Sequence, residues 1–311
     1  MSPAARALSP VVKSFARSVL GQRLNNLRHV LGARLAFRPG HFYSPICSPD
    51  DLARHYTDPR TTDGRVDIPG IDLNEAGQRA LWSQWAQFLA EFPFTPDAQP
   101  SFRYRSDNRN FAVGDATVLY CMLRHLKPKR MIEVGSGFSS ACALDTIERY
   151  LGNTVTNSFI EPYPDLLKSM LKPGDLERIT IIPSPIQDVA IDTFEALASG
   201  DILFIDSTHI VKTGSDVVHE LFQILPRLKP GVVVHFHDVH YPFEYPSEWV
   251  MERNYSWNEV YALRAFLMYN SAFEVMFFND AFARLSSDLV ARDAPAMLTN
   301  PGGGLWLRRT R

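Results

Sequence analysis

Cysteine is scarce in this chain. Its 311 residues hold only Cys47, Cys121 and Cys142, an odd number at wide spacings with no C-x-x-C pair. That pattern argues against a disulfide framework or a structural zinc site, and it fits a reducing, cytoplasmic compartment. No run of 18 apolar residues occurs, so no helix is expected to span a membrane. A basic excess is missing too. The formal net charge is -2, without the electrostatic footprint of a nucleic-acid binder. Acidic residues are absent from positions 1 to 49, where Arg6, Lys13, Arg17, Arg23, Arg28, Arg34 and Arg38 stand alone. Apolar residues recur there at Val12, Phe15, Val19, Leu24, Leu27 and Leu31, near helical spacing. The segment reads as a basic amphipathic helix. It is expected to pack on its own domain or a sister subunit, to touch an anionic membrane surface through residues 1–35, or to serve as a targeting segment. No compact apolar core precedes a small-residue cleavage site, so a secretory leader is not expected.

What is present is ordinary globular material, 45% hydrophobic and 21% charged. Residues 40 to 75, rich in Pro, Asp, Gly and Thr, read as mostly loop. Residues 74 to 92 read as an amphipathic helix ended by Pro93. From about residue 101 short apolar runs alternate with helical stretches. The runs are 131–134, 156–160, 179–182, 201–205, 231–236, 273–278 and 304–307, and most are continuously apolar, as strands covered on both faces by helices must be. Helices are expected near 139–150, 164–171, 190–198, 213–227 and 256–269. The alternation predicts an α/β doubly wound sheet over 101–311, preceded by a helical extension over 1–100.

The first strand ends in M-I-E-V-G-S-G-F-S-S, residues 131 to 140. In such sheets ligands bind beyond the carboxyl ends of the strands. Gly135, Ser136 and Gly137 form a turn where a ligand can approach the backbone, and Ser139 or Ser140 can cap the next helix. A side chain at Gly135 is expected to block the ligand and leave the fold intact. A dinucleotide site wants G-x-G-x-x-G/A, but the sixth position here is Ser140. Glu133, just ahead of the glycines, would repel a pyrophosphate and suits a cationic ligand. The next strand ends in Glu161, placed to accept from ribose hydroxyls. After the third strand Asp188 can accept from an adenine amino group or cap a helix. Asp206 and His209 follow the fourth strand. The fifth ends in His235, His237 and Asp238, and one rim is expected to gather these groups.

E-V-G-S-G, F-I-E-P, D-I-L-F-I-D-S-T-H and L-K-P-G-V-V-V-H-F-H-D, in this order, resemble class I S-adenosylmethionine-dependent methyltransferases over roughly residues 104–311. The likeness is closest to small-molecule enzymes carrying a methyltransferase domain, many of them associated with sugars. It implies a Rossmann-like, mostly parallel seven-stranded sheet with an antiparallel last strand, entered by a hairpin at Gly302–Gly304. It also implies S-adenosylmethionine as cofactor and a small hydroxylated acceptor. A homo-oligomer, assembled through the basic amphipathic segment, is among the expected states. His237 or His209 would be the general base, with Asp206 or Asp238 orienting it or contacting the cofactor. Asn110, Asp115, Tyr241 and Tyr245 are the substrate candidates, with Phe243 and Trp257 nearby. A divalent metal on Asp206, His237 and Asp238 is the less favoured chemistry, because similar sugar-modifying enzymes carry a carboxylate where His237 stands. The rival readings are a nicotinamide-dependent oxidoreductase and a methyltransferase-like scaffold without turnover.

Overall fold

The seven strands are β1 (Arg130–Val134), β2 (Thr156–Ile160), β3 (Ile179–Ile182), β4 (Ile202–Ile205), β5 (Val233–Phe236), β6 (Phe273–Phe278) and β7 (Leu305–Arg309). In the computed structural model, which describes residues 36–57 and 65–311, they form one sheet in the order β3-β2-β1-β4-β5-β7-β6. β1 to β5 pair in parallel, and β7 runs antiparallel to both β5 and β6. Each strand falls within two residues of an expected apolar run. The physical reason is visible in the packing. Ile132, Val134, Leu203, Ile205, Val234 and Phe236 belong to one buried cluster, while Met131, Ile202, Phe204, Val233 and Trp306 belong to another on the opposite face. With both faces covered, the strands are mostly apolar and do not alternate, the buried Glu133 and His235 being exceptions near their carboxyl ends.

Contacts divide the chain after Asp51. In the shorter unit the Gly40 N–H donates to the Ile46 carbonyl, and the rings of Phe37, His41, Phe42 and Tyr43 lie against one another. The expected amphipathic helix over 12–31 lies outside the described residues. Residues 40–75, expected to be loop, contain a helix, Pro49–Tyr56. Ser48 supplies its start, accepting from the Asp51 N–H at 3.1 Å while donating to the Asp51 carboxylate at 2.7 Å. Asp50 and Asp51 sit in its first turn and Arg54 and His55 in its last, as the helix dipole favours.

The longer unit begins at Leu52. Its segment 65–100 contributes to the main core. In α1 (Glu75–Gln84), Trp82 is fully buried against Phe277 and Phe282, and Trp85 follows it. The Trp82 Nε1–H donates to Asp293 at 2.8 Å. The expected helix over 74–92 is interrupted at Trp85 and resumes as Ala86–Ala90. On the same face lie α2 (Val113–Leu126) and α3 (Phe138–Tyr150). Residues 114–123 of α2 are all buried, so this helix is covered all round rather than along one stripe.

Two other expectations changed. The stretch 213–227 keeps only Asp216–His219 as α-helix, then widens into a π-helical turn, Glu220–Ile224, and tightens at Leu225–Arg227 where Pro226 supplies no N–H. Gly302–Gly304 do not form a tight hairpin. β6 and β7 are neighbours, but helices Asn279–Leu285, Ser287–Asp293 and Ala296–Thr299 intervene. The glycines are needed because the turn is pressed onto other groups. A Cβ on Gly302 would lie 2.1 Å from Asp115 Oδ1, and one on Gly303 would lie 2.9 Å from Asp238 Cα.

Candidate active site

The parallel strands deliver their last residues to one rim. Glu133 ends β1 one residue before Val134, and its carboxylate points to the face covered by α2 and α3. It is fully buried. Ser139 and Ser140 donate to its Oε1 at 2.5 and 2.9 Å, and its Oε2 has no partner. Burial, only partly offset by the two hydroxyls, pushes its carboxyl up to about 8. Ser140 also accepts from the Gly137 N–H at 3.1 Å, so it fastens the turn instead of opening a helix end to a phosphate. Ser136 Oγ is buried and unpartnered as well.

The two glycines differ. Gly135 has φ +77°, and a Cβ there would lie 2.0 Å from the Asp206 carbonyl oxygen. It is therefore required by the close approach of β1 to β4. A side chain would damage the rim itself, which corrects the expectation that substitution blocks only a ligand. Gly137 has φ 172°, which any residue adopts, and a Cβ there would meet only Leu166 Cδ2 at 3.2 Å. Space bordered by an unpartnered buried acid suits a cationic nucleoside ligand. Glu161 accepts from the Ser136 N–H at 3.2 Å and the Tyr163 N–H at 2.7 Å, so it braces the same turn. Asp188 is exposed at the end of the one-turn helix Ile186–Asp188 and does not cap Asp192–Glu195, whose N-cap is Ile191.

Asp206, His209 and Asp238 converge. His209 Nε2 stands 3.5 Å from Asp206 Oδ1 and 3.5 Å from Asp238 Oδ2. The backbone makes this possible by entering the left-handed region at His209 (φ +60°) and Asp238 (φ +57°). His209 is buried, whereas the Asp206 and Asp238 side chains are 32% and 21% exposed, so the carboxylates open the cluster to solvent. His209 Nδ1 lies 2.8 Å from Glu259 Oε2, and the Trp257 ring lies 4.5 Å from the imidazole. Burial disfavours the charged imidazole, but Asp206 and Glu259 outweigh it and hold the His209 pKa well above the usual histidine range. The two histidines His209 and His237 outweigh burial at Asp206 and hold its carboxyl low.

His237 lies deeper. Its Nε2 is 3.3 Å from the Asn110 carbonyl and 3.7 Å from Asp238 Oδ1, its Nδ1 has no partner, and its ring packs by Phe111 and Phe204. Burial is outweighed by Asp206, Asp238 and Asp115, and its pKa rises to about 9. His235 is stacked between Phe204 and Trp306, and burial drives it toward the neutral form.

Among the substrate candidates, Asn110 brings its backbone carbonyl to His237 while the residue stays exposed. Asp115 is buried. It accepts from the Gly303 N–H at 3.0 Å and from Asn279 Nδ2 at 3.2 Å, and burial raises its carboxyl to about 6. The Tyr241 hydroxyl is engaged by the Val66 backbone, and Tyr245 accepts from the Val260 N–H. Both rings border a cavity of about 540 Å³ beside His240, Glu244 and Arg284. Phe243, fully buried on Phe278, is core. Sequence reasoning missed Glu259. Fifty residues from His209 and in the first turn of α4 (Glu259–Leu267), it looks like an ordinary dipole-compensating acid.

A family model described as "Methyltransferase domain" matches residues 132–239, from β1 to the residue after Asp238. An uncharacterised protein of Archaeoglobus fulgidus is 32% identical over 165 residues, which cover 52% of this chain and 73% of that protein. Among solved structures, the S-adenosylhomocysteine-bound methyltransferase PaMTH1 of Podospora anserina aligns at 15% identity and a TM-score of 0.44, covering 89% of this chain and 100% of that one. The O-methyltransferase TomG of Streptomyces achromogenes, in complex with S-adenosylmethionine, aligns at 16% identity and a TM-score of 0.42, covering 74% and 90%. The matched span, residues 132–239, is a methyltransferase domain, and it holds both the acid-glycine turn and the β5 rim.

Proposed function

We propose that this methyltransferase acts on the hydroxyl group of a small acceptor, a sugar or glycolipid being the favoured class, with His209 rather than His237 taking the acceptor's proton. One observation carries the choice. His209 Nε2 is aimed between two partly exposed carboxylates while its Nδ1 is held by a third. His237 Nδ1 has no partner, and its Nε2 is engaged by the Asn110 carbonyl. When bound, S-adenosylmethionine supplies a methyl group activated on a sulfonium. The unpartnered Glu133 Oε2 and Ser136 Oγ fit its cationic amino-acid end, the open face of Gly137 fits close approach, and Glu161 fits the ribose hydroxyls. Asp188 is retained for the adenine amino group.

Asp206 and Asp238 draw the acceptor's hydroxyl toward His209 Nε2. Holding reactants in line lowers the barrier by several kcal/mol. Asp206 and Glu259 hold the His209 pKa above the usual histidine range, and positive charge arriving beside Asp206 would lower it toward the base form. The test is a panel of monosaccharides, glycolipids, catechols and amines incubated with isotope-labelled S-adenosylmethionine. A methyl ether is the expected product. A methylamine, or binding of NAD in place of S-adenosylhomocysteine, overturns the reading.

A second reading has a specific observation behind it. Asp206, His209 and Asp238 place one ligand atom each within 4.8 Å of one another. The donor set suits a divalent cation, with Glu259 on the far nitrogen of the histidine. These three residues would hold it, His209 replacing His237 in the expected set, and it would lower the acceptor hydroxyl's pKa. Chelator-sensitive turnover restored by magnesium or manganese supports this reading. Full turnover in chelator removes it.

A further inference from the structure

The loop after β4 is gripped from one side. The His209 carbonyl accepts from the Asn258 and Glu259 N–H groups, both at 3.1 Å. The Asn258 side chain takes the Val211 N–H at 2.6 Å and returns a bond to the Val211 carbonyl at 3.3 Å. These contacts fix the backbone at a residue whose left-handed φ is uncommon outside glycine. They do not fix the ring, which can rotate about its side-chain torsions. Glu259 does that. Its Oε2 lies 2.8 Å from His209 Nδ1, and both side chains are buried. With Glu259 ionised, both its oxygens only accept, and Nδ1 is then the donor of this bond. Nε2 is then directed at Asp206 and Asp238. The Trp257 ring closes one side of the imidazole.

We propose that Glu259 is the positioning residue of this site, aligning His209 through Nδ1 so that Nε2 faces the opening between Asp206 and Asp238. Its location argues against a purely structural acid. It is buried in a first helical turn where solvent exposure would be the ordinary state, and its second oxygen has no partner. Glu220, the first residue of the π-helical turn, is a second buried acid near Glu259 and accepts from the Ser207 hydroxyl at 3.2 Å. Burial and like charge disfavour ionising two such acids near each other, which opposes folding. The proposal rests on the reading that His209 takes part in the reaction, as a base or as a ligand, and the test separates the two.

The test uses the full chain with 15N-labelled histidine. The His209 Nδ1–H proton is assigned by its loss in His209→Asn. Wild type is expected to show that proton far downfield, as a short bond to a carboxylate requires. Glu259→Gln should keep it at a less downfield position, because the amide oxygen still accepts, and Glu259→Leu should abolish it. Affinity for S-adenosylhomocysteine should stay within about twofold in both variants. Supporting partners of this kind typically set 10- to 100-fold in activity. The turnover number should therefore fall by about that factor in Glu259→Leu and recover in Glu259→Gln, with acceptor KM little changed. No downfield proton in wild type, or one unchanged in Glu259→Leu, overturns the proposal. So does a Gln variant that loses melting temperature and cofactor affinity together. If the proton behaves as expected and turnover ignores it, the positioning stands and the role of His209 in the reaction falls.

Discussion

At the residue scale, Glu133 is the most exposed to a decisive measurement. Its carboxyl sits at about 8 in the folded chain against an ordinary value of 4.5. A raised folded pKa stabilises fully below the unfolded value and loses that contribution as pH climbs through the folded one. The melting temperature of the free protein is therefore expected to fall from about pH 5 to pH 8, and that of Glu133→Gln to fall less. Differential scanning fluorimetry across this range checks it, and parallel curves would rule out the buried carboxyl as the cause. The two histidines can be separated in the same way. His209→Asn is expected to lower turnover by about 10²- to 10⁴-fold, the usual weight of a general base. His237→Gln should cost less turnover and more stability, since that ring fills space between Phe111 and Phe204. Equal losses of rate in the two variants, measured on the acceptor that the panel identifies, would return His237 to candidacy.

At the scale of elements, the turn between β1 and α3 does two jobs with two glycines. Gly135 lets β1 close on Asp206, and Gly137 keeps the adjoining space open. Gly135→Ala should lower the melting temperature as well as cofactor affinity, because the 2.0 Å overlap is with backbone and the φ is left-handed. Gly137→Ala should melt near wild type and weaken S-adenosylhomocysteine binding alone. Calorimetry beside a melting curve separates these outcomes, and a stable Gly135→Ala that binds normally would contradict the geometry. Helix α1 belongs to the same argument. Trp82 is buried against Phe277 and Phe282, so Trp82→Ala should cost about 3–5 kcal/mol in urea unfolding. A near-neutral effect would mean that α1 packs on a core able to close without it.

At the scale of the whole molecule, the acid-free stretch at residues 1–49 lies outside the span that the family model matches. Every group placed at the rim lies between Asn110 and Glu259, and the family match covers 132–239. Removing residues 1–35 is expected to leave S-adenosylhomocysteine affinity unchanged. It is expected to alter either the oligomer size in light scattering or the pelleting with anionic vesicles. A truncated protein that no longer binds the cofactor would show that this segment serves the site directly.

The strands were legible because their signal is local. A strand buried on both faces is mostly apolar along its length, so seven apolar runs could be read without knowing their partners. The rim acids and histidines were legible for the same reason, since polar residues can follow an apolar run only where the chain leaves the core. The helix at Pro49–Tyr56 was legible in principle, as Ser48 and Asp51 form a capping pair, but Pro and Asp around it carried the stronger loop signal. Other features had no local signal. Glu259 meets His209 across fifty residues, Gly302 makes way for Asp115, and Asp238 turns into the left-handed region to face His209. The sequence by itself determined which segments are strands and that charge gathers at their ends. Only the tertiary structure decided which histidine is oriented and by what, because that depends on how separate segments pass one another in the packed chain.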